Sequence, residues 1–220
     1  MNRLVIFGFN MFLFSTVTVI FAQNTVPQSM NSENNQYNFI VYAPGGTGSF
    51  NLSDARGNWV ALHFLLKTEC GFCMRLTNEY ISRASELPDI TQVFLKPDDD
   101  EAISQWKTSY FDMFLSETDS SATGTMPVIY RDPNAQLANA FNIPGGYEFH
   151  GEVVHYPALI IINPEGEEVF RYVGESNRDR LTFDQFIVTI ADLKKGGDGS
   201  TGLEIEGELA PAPGHESHEH

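Results

Sequence analysis

The chain has 220 residues, with 29 Asp and Glu against 13 Lys and Arg and a formal charge of −16. So acidic a surface repels polyanions, which argues against nucleic acid or an anionic membrane surface as a partner and favours solubility. The length suits one domain with a single large core, and no internal repeat divides it.

The first residues, Met1-Asn2-Arg3, carry one positive charge and lead into an apolar stretch from Leu4 to Ala22. This is the pattern of a secretory signal peptide over 1–22, cut after Ala22, and it predicts an exported, periplasmic or extracellular protein. Left uncut, a stretch near the ~20 residues of a membrane span would anchor the chain by its N-terminus. Cleavage takes the charge to −17 by removing Arg3. Residues 23–36, rich in Asn, Gln and Ser, read as a flexible spacer, and the domain is expected over 37–195.

Within it, Asn38 to Tyr42 reads as a first strand. Ala43 to Gly48 is turn chemistry leading to Ser49-Phe50-Asn51-Leu52, and Trp59 to Leu66 has the apolar density of a buried central strand. His63, inside that strand, reads as a core histidine. Then follow Cys70-Gly71-Phe72-Cys73, the only two cysteines in the chain. Apolar residues at helical spacing after Cys73, from Met74 to Ala84, put this pair at a strand-to-helix junction. A Cys-x-x-Cys closes too short a loop to restrict the unfolded chain much, and its geometry suits a thiolate with a resolving thiol close by. A fixed disulfide or a pair of metal ligands is the alternative, since an oxidising compartment permits both.

Thr91 to Leu95 is a second strand. Asp98-Asp99-Asp100-Glu101 resembles a metal loop but reads as the acidic start of a helix whose apolar face is Ile103, Trp106, Tyr110, Met113 and Phe114. After a polar loop from Ser116 to Thr125 come a short strand at Pro127 to Tyr130, a turn at Asp132-Pro133-Asn134 and a helix from Ala135 to Phe141. Pro144 to Val154 reads as a loop, Ala158 to Ile162 as a buried strand, and Glu168 to Val173 as its hairpin partner across Asn163-Pro164-Glu165-Gly166. A last amphipathic helix is expected over 183–193 and a disordered acidic tail over 196–220. The alternation predicts an α/β sandwich with a mixed sheet.

Four segments together resemble the redoxin branch of the thioredoxin-like superfamily, which holds TlpA-like thiol-disulfide oxidoreductases and AhpC/TSA-like peroxiredoxins. They are Phe50 to Val60, Cys70 to Cys73, Asp132 to Ala138, and Tyr156-Pro157-Ala158 running on to Gly166. The resemblance implies a three-layer α/β/α sandwich in which Cys70 is the nucleophile and Cys73 the resolving thiol. It further implies a cis peptide bond between Tyr156 and Pro157, and a substrate surface of Gly71, Phe72, Tyr156 and Pro157. No cofactor beyond the Cys70–Cys73 disulfide is implied; the partners are protein thiols or disulfides and a redox partner protein. A thiol at a helix start is favoured as thiolate by unpaired N–H groups and the helix dipole.

The chain departs from the pattern in places. Phe64 stands where thioredoxins often carry an acidic residue, and Glu69 where an aromatic one is usual, leaving Lys67, Glu69 and His155 to handle protons. A peroxidase using Cys73 is the second reading, but Leu66 and Cys70 replace the proline and threonine of that pattern, and Ala158 stands where its arginine is expected. A non-catalytic or metal-binding domain is the third. It would draw on His150 and His155 beside the cysteines, or on His215, His218 and His220 in the tail.

Overall fold

The computed structural model describes residues 37–67, 70–116 and 125–205. The expected signal peptide and spacer, Thr68 and Glu69, the loop residues 117–124, and 206–220 with their three histidines lie outside the described residues.

The chain opens with β1 (Ile40–Tyr42) and β2 (Ser49–Asn51), a small antiparallel pair, and continues through β3 (Trp59–Phe64), α1 (Gly71–Ser82), β4 (Ile90–Lys96), α2 (Asp100–Phe114) and β5 (Ile129–Arg131). It ends through α3 (Gln136–Ala140), β6 (Gly145–Phe149), β7 (Glu152–His155), β8 (Ala158–Ile162), β9 (Glu168–Val173) and α4 (Phe183–Leu193). The main sheet has the order β5-β4-β3-β8-β9, parallel over β3, β4 and β5 and antiparallel at β3–β8 and β8–β9.

The central strand explains the layers. Val60, Leu62 and Phe64 point to one face and Ala61, His63 and Leu65 to the other, so both faces need cover. Helices α1, α2 and α4 cover one face with Met74, Tyr80, Trp106, Tyr110, Phe183 and Phe186. The β1–β2 pair and α3 cover the other with Phe39, Val41, Leu137, Ala138 and Phe141. The result is the three-layer α/β/α sandwich, with β3 delivering the cysteine loop from the middle of the sheet.

Caps decide where the helices start. Asp99 caps α2 by accepting the Ala102 N–H at 2.9 Å, with Asp100 and Glu101 in the first turn, so the acidic run serves the helix as expected. Thr182 and Gln185 form a reciprocal capping box on α4.

Three expectations are corrected. The segment Pro144 to Val154 is not a loop: it lies in the β6–β7 hairpin, a separate two-stranded sheet turning at His150 and Gly151, both at positive φ (50° and 79°). The Tyr156–Pro157 bond is trans, as are all peptide bonds among the described residues. The backbone stays extended there, with the Tyr156 N–H on the Pro144 carbonyl and the Pro157 carbonyl accepting from Gly174, and trans is the lower-energy isomer of a prolyl bond. The tail is ordered as far as Ile205: a 3-10 turn at Ser200–Glu204 lies on α4, held by Gln185 Nε2 on the Ile205 carbonyl at 2.8 Å.

Candidate functional site

Cys70 is the N-cap of α1. Its backbone is extended, its carbonyl accepts the first helical bond from Met74, and its Sγ accepts the Cys73 N–H at 3.2 Å. One helical turn brings Cys73 back over Cys70, and the two form a disulfide with Cα atoms 5.1 Å apart. Closing a loop this short constrains the unfolded chain by about 2 kcal/mol. Each fully buried Phe or Leu contributes about 1.5–3 kcal/mol, and both faces of the sheet carry many, so stability does not explain the bridge.

The sulfurs lie in an enclosed, positively charged setting. Cys70 is 1% exposed and Cys73 is 0% exposed. The Arg180 guanidinium, itself buried, donates from Nη2 to Cys73 Sγ at 3.3 Å and from Nε to the Asn177 carbonyl at 3.1 Å. Burial pulls Arg180 down to about 9, with Tyr147 and Asp179 acting in the opposite sense, so it stays charged at neutral pH. Ala158 is not an arginine, and the guanidinium at the cysteines comes instead from Arg180, in the loop before α4. The loop is fixed sterically at Gly174, where an added Cβ would come within 2.0 Å of the Asp179 carbonyl oxygen.

A second buried cation stands behind the cysteine loop. Lys96, at the end of β4 and fully buried, pairs with Asp98 at 2.8 Å and donates to the Leu66 carbonyl at 2.7 Å. Burial lowers its pKa, opposed by Asp98. Its bond to Leu66 ties down the strand end from which the cysteine loop departs.

Of the residues expected at the site, Gly71 is exposed at the first turn of α1, and Phe72 is half-buried with the guanidinium carbons of Arg75 and Arg178 at 4.1 and 5.2 Å from its ring centroid. Pro157 shares a small cavity of about 10 Å³ with His63 and Arg180, and Tyr156 packs on Tyr147 with ring centroids 5.2 Å apart. Lys67 and His155 line a larger cleft of about 370 Å³ on the β6–β7 side. Lys67 is committed to Glu152 at 2.6 Å, which raises its pKa. His155 is buried, donates from Nδ1 to the Tyr156 carbonyl, and is lowered by that burial. Glu69 lies outside the described residues. His63 is the core histidine expected: it donates to Gln92 Oε1 at 2.7 Å, stacks on Phe94, and burial pushes it down to about 4. Among the described residues no three His, Cys, Asp or Glu side chains converge as a metal site, and no helix is long and apolar enough to cross a membrane.

A thioredoxin-like sandwich with a dithiol at the start of α1 defines a redoxin. The chain belongs to the AhpC/TSA family, which it matches over residues 37–169, and its function is thiol-based redox chemistry. Arg180 lies beyond the matched segment. No curated protein matches the chain. Among solved structures, the chain is similar to peroxiredoxin 6 of Arenicola marina (16% identity, 77% of this chain and 73% of that one, TM-score 0.60). It is also similar to the yeast mitochondrial 1-Cys peroxiredoxin (12%, 73% and 75%, TM-score 0.56). A third likeness is to the bacterioferritin comigratory protein of Xanthomonas campestris (15%, 72% and 91%, TM-score 0.51). At these identities the likeness establishes the shared fold.

Proposed function

We propose that the protein is an exported thiol-disulfide oxidoreductase that exchanges disulfides with protein partners through Cys70 and Cys73. The observation that carries this reading is that the only two cysteines are bridged at the N-terminus of α1, with separate stabilisation for each thiolate. The balance is as follows in the oxidised state. A partner thiolate attacks Cys70 Sγ, the Cys70–Cys73 bond breaks, and its electron pair leaves on Cys73 beside the Arg180 guanidinium. The partner's second thiolate then attacks the partner sulfur of the mixed disulfide and releases Cys70 as a thiolate at the amides of α1. Two electrons pass from partner dithiol to protein and two protons follow; with a disulfide partner the steps run in reverse.

A protein redox partner is part of the proposal. The yeast mitochondrial 1-Cys peroxiredoxin, by comparison, resolves its thiol through glutathione and thioredoxin systems. Residues 1–22 would provide export.

The test is insulin reduction by wild type, Cys70→Ser and Cys73→Ser. Wild type turns over, Cys70→Ser does not, and Cys73→Ser accumulates a mixed disulfide on Cys70. No turnover by the wild type would sink the reading.

Arg180 favours one second reading, a peroxidase in which Cys73 attacks the peroxide and Cys70 resolves the sulfenic acid to the observed disulfide, releasing water. Against it, no hydroxyl stands three residues before Cys73, where Cys70 sits. Peroxide consumption that survives Cys70→Ser with an added thiol but not Cys73→Ser would put this reading first.

A further inference from the structure

The lysines and arginines divide between those paired with a carboxylate and those that are not. Lys67, Arg83, Lys96, Arg131, Arg171 and Lys194 are each paired with a carboxylate. Six form no ion pair among the described residues: Arg56, which donates to the Glu165 and Tyr37 carbonyls, Lys107 and Lys195 lie elsewhere, while Arg75, Arg178 and Arg180 gather at the dithiol. Arg180 is buried on Cys73, while exposed Arg178 and half-buried Arg75 lie against Phe72, the residue between the cysteines. Of the neighbouring carboxylates, Asp179 acts electrostatically on Arg180 but takes its hydrogen bonds from the Tyr172 hydroxyl and the Glu175 N–H, Glu79 takes one from the Phe183 N–H, and Glu152 holds Lys67.

A flat aromatic ring holds the Arg75 and Arg178 side chains beside the disulfide without neutralising them, so their charge stays available to a ligand. From these residues we infer that the dithiol face docks a protein segment carrying carboxylates beside its reactive cysteine. This deepens the disulfide-exchange reading and rests on it. The Arg75 side chain folds back over the first turn of α1, its Nη1 3.8 Å from where a Cβ on Gly71 would stand, so its charge lies beside the residues between the cysteines. Two residues of extended chain span about 7 Å, so an Asp or Glu within two positions of the partner cysteine can reach this pair of guanidiniums. Carrying a carboxylate to these guanidiniums while a cysteine meets the sulfurs calls for a peptide chain.

The test offers the reduced full-length protein three disulfide-linked peptides that differ only two positions either side of the cysteine, carrying Asp, Asn or Lys. At low ionic strength the Asp peptide exchanges about tenfold faster than the Lys peptide, and the ratio falls to about twofold in high salt as the charges are screened. Arg75→Gln with Arg178→Gln removes the ratio, while Lys195→Gln, which alters a cation at the far end of α4, keeps it. Equal non-zero rates for the three peptides, or a ratio retained by the double variant, overturns the inference and leaves disulfide exchange standing. No exchange with any peptide overturns disulfide exchange itself and the inference with it. If the double variant fails to fold, the wild-type peptide series and its salt dependence decide the matter.

Discussion

Arg180 Nη2 and Cys73 Sγ meet at 3.3 Å although the residues are 107 apart in sequence. The contact sets a full positive charge where the Cys73 thiolate forms when the disulfide opens. Replacing Arg180 by Met keeps much of the volume and removes the charge. The reduced variant is expected to alkylate at Cys73 about tenfold more slowly at neutral pH, a step of about 1.4 kcal/mol. Mass spectrometry resolves the two cysteines, and an unchanged Cys73 rate would show that the guanidinium only fills space.

The Lys96–Asp98 pair is fully enclosed, so losing one member leaves an uncompensated buried charge. Asp98→Asn or Lys96→Met is expected to lower stability by about 3–5 kcal/mol, and the double change Lys96→Met with Asp98→Leu by clearly less than the sum. Denaturant unfolding measures this. Additive losses would mean the two charges are not energetically coupled.

His63 makes stability fall in mild acid. Its folded pKa is about 4 against 6.5 for an unfolded histidine. Between those values the unfolded chain binds a proton that the folded one does not, so stability drops as pH falls through this window. Below the folded value both states are protonated and the loss levels off at about 3 kcal/mol. Unfolding curves from pH 7 to 4 should show this slope in wild type, and a shallower one in His63→Gln.

Gly174 has no room for a side chain beneath Asp179. Gly174→Ala is therefore expected to displace the loop carrying Arg178 and Arg180, slowing disulfide exchange with a smaller effect on the melting temperature. Exchange at the wild-type rate would show that the loop absorbs the extra carbon in place.

The sequence was most informative where periodicity and punctuation agreed. The bounds of β8, β9 and α4 follow directly from the runs Ala158 to Ile162, Glu168 to Val173 and Phe183 to Leu193, and Cys70 falls at a helix start because an apolar strand precedes it and a 3.6-residue pattern follows. The β6–β7 hairpin was hidden because Pro144-Gly145-Gly146 reads as a loop. Its one legible sign was Tyr147 and Phe149 alternating with polar residues before His150-Gly151. Arg180 and Lys96 were not legible at all. A lone cation carries no sign of being buried, and the sulfur and carbonyl they hold come from distant parts of the chain.

The β6–β7 hairpin is a sheet of its own, joined to the cysteine loop through the exposed Lys67–Glu152 pair, and its Phe149 and Val154 belong to the same apolar cluster as Cys70 and Cys73. The exposed ion pair contributes only about 0–1 kcal/mol; the hairpin is held chiefly by buried Phe149 and Val154 and by the Asn177 N–H on the Tyr147 hydroxyl, and no ladder hydrogen bond ties it to the five-stranded sheet. Because both cysteines are buried, exposing the sulfurs is expected to be a step with its own rate. Reduction by a small dithiol should speed up with reductant concentration and then reach a plateau, and that ceiling measures how often the buried sulfurs become exposed.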